Sequence, residues 1–303
     1  MKKELLVIGG SYFVGRVFNI LASRTGSFNI TVINRGRYEL NLDGVSQTHF
    51  DRHDAEKIKE LPAKDYDAVI DFCAYEPGDI ALWLENLPGS VKQYIFISTS
   101  SVYEVGILPP VTEDSPLTTR FGTDENARYV QKKLILEDEC KEACKNKAIA
   151  YTILRPTFIF GPFNYAPREP FYFTLLLDGK EIPVPTDAEA KFQFVYVKDI
   201  ARALMGAIGN ERVYDRIFNL AGPEVLDYQG FMKALEEAHG APLKTRPVTV
   251  RDAAEQKIPL PFPLLYDELC DGGRITKAID FAYTPFGEAF KETYDIFRKA
   301  YQK

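Results

Sequence analysis

The sequence predicts an α/β protein built on a doubly wound parallel sheet. Three observations predict it. Short β-branched runs alternate with amphipathic stretches through the first half, the runs are continuously apolar, and two glycines end the first run where a helical pattern begins. Continuous apolar strands are what a sheet covered on both faces requires, whereas a half-exposed sheet alternates apolar with polar.

The elements come in order. "LLVIG" (5–9) is the first strand and Phe13–Arg24 the first helix. "ITVIN" (30–34) and "QTHFD" (47–51) are the next strands, before a helical pattern at Ala55–Leu61. "DAVIDFC" (67–73) and "QYIFIS" (93–98) flank a helix at Asp79–Leu87. A long helix at Arg128–Lys145 leads to "AYTILR" (150–155). From Gly161 the pattern loosens, and the prolines and aromatics of "GPFNYAPREPFYF" suit an ordered loop beside a ligand. "FQFVYVKDIARALMGAI" (192–208) and "RIFNLAGPE" (216–224) are expected to return to the sheet domain, and the remainder is mostly helical.

Composition narrows the function. With 43 acidic against 37 basic residues the net charge is -6, which argues against a general nucleic-acid binder. No apolar run approaches the roughly 20 residues that span a bilayer. "MKKELLVIGG" is read as a first strand rather than a signal peptide, so a cytoplasmic location is expected. The four cysteines have no framework spacing; Cys140 and Cys144 could share a helix face but no histidine accompanies them, so no metal is expected.

Gly9, Gly10 and Gly15 lie between the first strand and first helix. A helix N-terminus offers free N–H groups and a positive dipole end to a pyrophosphate, which makes Ser11, Tyr12, Phe13 and Val14 cofactor-binding candidates with the glycines. Tyr12 stands where a small residue would let the backbone approach closely. After the second strand comes "NRGR", with Asn34 and Arg35 in place of the carboxylate that selects NAD. A guanidinium there suits a 2′-phosphate, which leans the cofactor towards NADP(H). Asp51 and Arg52 come after the third strand and Cys73, Ala74 and Tyr75 end the fourth, both along the expected cofactor path.

"YVQKK" places Tyr129 and Lys133 four residues apart on one helix face. A nearby ammonium would stabilise a phenolate and make the tyrosine a usable acid or base. "FISTSSVY" puts Thr99, Ser100 and Ser101 at the carboxyl edge of the sheet, where such folds bind ligands.

Taken together with "LRPTFIFGP", "FQFVYVKDIARAL" and "FNLAGP", these motifs resemble an extended short-chain dehydrogenase/reductase, in the NAD-dependent epimerase/dehydratase family, over nearly the whole chain. The resemblance implies a catalytic triad of Thr99, Tyr129 and Lys133, with Pro156 and Phe158 against the nicotinamide. It implies a Rossmann domain over 1–163 plus about 192–223 and a smaller, mostly helical substrate-binding region over 164–191 plus 224–303. Tyr12 departs from the family's three-glycine turn, as atypical members do. The expected reaction is hydride transfer at a secondary alcohol or ketone by a sugar-nucleotide epimerase, on a small molecule such as a nucleotide sugar. The alternatives are an NADPH-dependent reductase or dehydrogenase and, in another class, a non-catalytic NAD(P)-binding sensor. A 4,6-dehydratase is set aside because Ser100 and Ser101 come directly after Thr99 where those enzymes carry Asp-Glu. Asn164, Arg168 and Arg274 are the substrate-binding candidates, and a homodimer is compatible with the family.

Overall fold

Seven parallel strands form one sheet: β1 (Lys3–Ile8), β2 (Phe28–Asn34), β3 (Val45–His49), β4 (Ala68–Asp71), β5 (Gln93–Ile97), β6 (Ala150–Pro156) and β7 (Arg216–Leu220). This computed structural model describes residues 2–301. Across the sheet the order is β7-β6-β5-β4-β1-β2-β3. The chain runs outward from β1 to β3, then restarts on the other side of β1 at β4. That reversal opens a crevice at the carboxyl ends of β1 and β4, where open α/β sheets take ligands.

Five of the helices frame that crevice and its supports: α1 (Phe13–Arg24), α2 (Asp79–Asn86), α3 (Glu125–Asn146), α4 (Glu169–Leu177) and α5 (Val197–Ala207). Successive strand residues point to opposite faces, so each strand feeds two cores. Leu5, Val7, Ile30, Val32 and Ile70 face α1 and α5, which pack on each other. Leu6, Ile8, Val69, Tyr94 and Phe96 face the other way, against Trp83 of α2 and Leu136, Cys140 and Cys144 of α3. The two helical cysteines are therefore core side chains. The helix α3 begins three residues before the periodicity suggests, because Asp124 caps it by accepting the Ala127 N–H at 2.9 Å.

One strand stands apart from the large sheet. Phe192–Tyr196 pairs with Phe158–Phe160 and Val225–Leu226 in a separate three-stranded sheet, and only β7 rejoins the large one. Its rings explain this. Phe192 and Phe194 join an aromatic core with Phe158, Phe231, Phe262 and Phe286 that the aliphatic main sheet does not provide. Tyr172 and Phe173 of α4 are buried in the same cluster.

A buried ion pair ties α3 to the sheet. Arg155 donates to both oxygens of Glu137 at 2.9 and 2.5 Å and to the Tyr103 hydroxyl at 2.9 Å, while the Ser98 hydroxyl donates to Glu137 at 2.5 Å. Arg155→Met strands the Glu137 carboxylate and should lower the unfolding free energy by about 3–5 kcal/mol in urea titrations. Adding Glu137→Leu should recover part of that loss; a double variant weaker than the single one would contradict the account.

Candidate functional site

The turn after β1 is built for close approach. Gly9 and Gly10 have φ of 87° and 80°. A Cβ at Gly10 would lie 2.5 Å from the Val7 side chain, and one at Gly15 would lie 2.2 Å from Gly10 Cα. Helix α1 therefore rests directly on the turn. Tyr12 is its N-cap in extended backbone (φ -136°, ψ 150°), without a side-chain bond to the helix. The first-turn N–H groups face a cleft of about 580 Å³. A glycine cradle under free helix N–H groups fits the pyrophosphate of a dinucleotide, and the volume is ordinary for a cofactor site.

At the β2 end, the Asn34 side-chain oxygen accepts the Gly36 N–H at 2.7 Å and meets His49 at 3.0 Å, while its buried amide nitrogen has no partner. Arg35 is exposed on the cleft wall, and its charge helps hold the Asp51 carboxyl below its usual range, chiefly the work of His53 hydrogen bonds. Arg52 forks onto Asp71 with two bonds of 2.9 Å, and Tyr94 and the Cys73 N–H complete that fully buried carboxylate. The Arg52 guanidinium is thus committed to the protein. Burial pushes the Cys73 thiol up to about 12, so it packs rather than reacts. Tyr75 lines the cleft; Ala74 is buried and contributes its carbonyl to Lys133.

Thr99 follows β5 and caps the short turn after it, accepting the Ser101 N–H at 3.2 Å. Tyr129 and Lys133 come in from α3 and line the same cleft as Thr99 and Pro156. Lys133 Nζ donates to the carbonyls of Ala74 and Ile97, both at 2.9 Å, and sits 5.8 Å from the centre of the Tyr129 ring. Burial pushes its pKa from 10.5 down to about 8. The Tyr129 phenol goes up, mainly through burial, with the Thr99 hydroxyl and the Arg168 guanidinium opposing. This differs from the expected downward pull by Lys133, because the ammonium lies over the ring and is bound to backbone.

The loop 161–168 lines the end of the cleft beside Tyr129. Asn164 builds the loop itself, donating to Glu169 at 2.8 Å and accepting the Ala166 N–H at 3.0 Å. Glu169 is fully buried, and burial pushes its pKa up to about 7. Arg168 lines the cleft with its guanidinium 4.9 Å from the Phe158 ring centre, and among the described residues it has no hydrogen-bond or carboxylate partner. Phe158 itself belongs to the aromatic core rather than the cleft wall. Arg274 stands outside the cleft, paired with Glu113 at 3.0 Å and with Asp114. The cleft also gathers Arg37, the last residue of "NRGR", and Tyr38, His53 and Asp79, none of them named as a site candidate above. Asp79 and His53 had one available signal, the Asp-x-His spacing after β3 that lets His53 bridge Asp51 and Asp79 at 2.8 Å each.

Residues 80–221 match the model of the NAD dependent epimerase/dehydratase family. That span is just under half of the chain and carries Thr99, Tyr129 and Lys133. The chain is 31% identical over 257 residues to the chloroplast stem-loop binding protein of 41 kDa b from Arabidopsis thaliana, covering 80% of this chain and 64% of that protein. The chain thus spans less than two thirds of the length of that relative. It is 22% identical over 271 residues to the UDP-glucose 4-epimerase of Vibrio cholerae, covering 82% and 80% of the two chains. Its fold matches the UDP-glucuronic acid 4-epimerase of Bacillus cereus, solved with UDP-glucuronic acid and NAD, at a TM-score of 0.78 and 18% identity over 98% of this chain and 100% of that one. The expected doubly wound parallel sheet is the one observed. No helix among the described residues is long and apolar enough to cross a membrane.

The depressed Lys133 pKa has a signed consequence. Between about 8 and 10.5 the folded chain holds fewer protons at this site than the unfolded chain, so its stability rises with pH there and carries the full burial cost below 8. The stability difference between the wild type and Lys133→Met should therefore move towards the wild type by about 2 kcal/mol from near pH 7 to near pH 10, measured by urea unfolding. A pH-independent difference would remove the assignment.

Proposed function

We propose that this chain binds NAD or NADP in the cleft and acts by hydride transfer at a secondary alcohol or ketone of a nucleotide sugar, as an epimerase-like enzyme. One observation carries the reading: the glycine cradle and the side chains of Thr99, Tyr129 and Lys133 open into one cleft. When bound, the nicotinamide supplies the hydride acceptor and donor. The protein supplies the rest. Thr99 and Tyr129 hold the reacting oxygen between two hydroxyls. Tyr129, with its raised pKa, is protonated at neutral pH and poised to give its proton to a carbonyl oxygen. The Arg168 charge opposes that rise, which eases the return of the proton when an alcohol is the reactant. Lys133 fixes the face of α3 that presents the phenol.

The unpartnered Arg168 suits an anionic substrate, and the UDP sugars named for the similar epimerases are anionic. The NAD bound in the Bacillus cereus structure favours NAD, while Arg35 and the absence of a carboxylate at the end of β2 favour NADP. A net reductase would use the same residues without the return of hydride. A second reading rests on the name of the Arabidopsis relative, nucleic-acid stem-loop binding, for which Arg35 and Arg37 are exposed near the cleft. Retention of stem-loop RNA in a gel shift, falling steeply with added salt, would favour it.

Denaturing the purified protein and identifying the released nucleotide by mass tests the cofactor. Stoichiometric NAD supports the epimerase, and an empty site that NADPH fills supports the reductase. Tyr129→Phe should lower kcat on a responsive UDP sugar by about a thousandfold, with nucleotide affinity held within about twofold. A variant that keeps its turnover would overturn the role of Tyr129. Arg35→Ala should weaken NADP about tenfold and NAD much less; equal losses would assign Arg35 to the surface alone.

A further inference from the structure

Tyr12, the residue that breaks the three-glycine turn, is the middle ring of a stack. It lies 5.0 Å from Tyr38 with the planes 6° apart, and 5.0 Å from Tyr165 with the planes 21° apart. Phe13 meets Tyr165 edge-on at 5.9 Å, and the Arg16 guanidinium lies 5.2 Å from the Phe163 ring centre. The stack joins three separate segments: the turn before α1, the loop after β2, and the loop 161–168 that carries Arg168. All three tyrosines line the cleft, yet Tyr12 is 44% exposed and Tyr165 61% exposed. Tyr12 is held through the faces of the other two rings, and Tyr165 also meets the edge of Phe13, a ring of the core.

We infer that Tyr12, Tyr38 and Tyr165 form a strap across the dinucleotide cleft that must part for the nucleotide to enter or leave. A dinucleotide reaching from Asn34 at the end of β2 to Tyr129 crosses the N-terminus of α1, and the stack lies across that path. Stacked rings hold through their faces, and their exposed edges leave the contact free to open. A glycine at position 12 could not take part. The departure from the glycine pattern therefore exchanges open access for slow exchange of the nucleotide. This suits an enzyme whose nicotinamide returns to its starting state within each turnover.

The inference rests on the dinucleotide reading above, and nucleotide exchange separates the two. Wild type, Tyr165→Ala, Tyr165→Phe and Tyr12→Gly are loaded with NADH or NADPH, and release and uptake are monitored by stopped-flow nicotinamide fluorescence. A strap predicts that Tyr165→Ala and Tyr12→Gly speed both release and uptake about tenfold, and that Tyr165→Phe, which keeps the ring face, stays near the wild-type rates. Alanine and glycine variants that exchange at the wild-type rate overturn the strap while leaving the cofactor reading intact. So does a Tyr165→Phe variant as fast as Tyr165→Ala, because stacking would then not be what holds. A wild type stripped of any copurified nucleotide that then takes up neither NADH nor NADPH overturns both.

Discussion

The site depends on how one long helix is pinned to the carboxyl edge of the sheet. Lys133 of α3 reaches into the protein and bonds the carbonyls of Ala74 and Ile97, the first just after β4 and the second at the end of β5. One turn further on, Glu137 takes the Ser98 hydroxyl and the Arg155 fork. Two adjacent turns of α3 are thus held by buried polar contacts to three strand ends. Tyr129, one turn before them, can reach the cleft wall only because of that grip. Hydrophobic packing alone would let the helix slide or rotate with little loss, whereas a buried ammonium or carboxylate accepts few geometries.

The same economy appears on the cofactor side. Asp71 is fully buried and fully satisfied by Arg52, Tyr94 and the Cys73 N–H. Arg52 therefore shapes the cleft floor by holding β4 and the start of α2 together, donating to the Asp79 carbonyl as well. Among the described residues, the cleft cations without a hydrogen-bond or carboxylate partner are Arg35 and Arg37 after β2 and Arg168 on the loop 161–168. Asp71 is balanced within the protein, and the arginines at the ends are free to meet the charge of a ligand. That division explains how an acidic protein can still present a cleft suited to phosphates.

Tyr12 shows how a local rule and a tertiary fact can both hold. In a three-glycine turn its side chain is an intrusion, and its extended backbone is what any residue adopts at an N-cap. The ring then stacks between Tyr38 and Tyr165. Those partners stand 26 and 153 positions further along the chain, so no local pattern relates them.

The strands of the large sheet, the helix α1, the glycine turn and the pairing of Tyr129 with Lys133 were legible in the sequence, because each arises from short-range spacing and apolar periodicity. The family resemblance was legible for the same reason: its motifs are contiguous. Contiguous patterns could not tell Arg52, held by a carboxylate 19 positions away, from Arg168, which has no partner among the described residues, nor Arg274 in the cleft from Arg274 on Glu113. They also did not reveal that Phe192–Tyr196 leaves the main sheet for an aromatic core, or that Lys133 spends its charge on backbone carbonyls. Sequence determines which groups exist and which helix face or strand end carries them. Folding decides which of those groups meet, because burial, pairing and charge are settled between segments far apart in the chain.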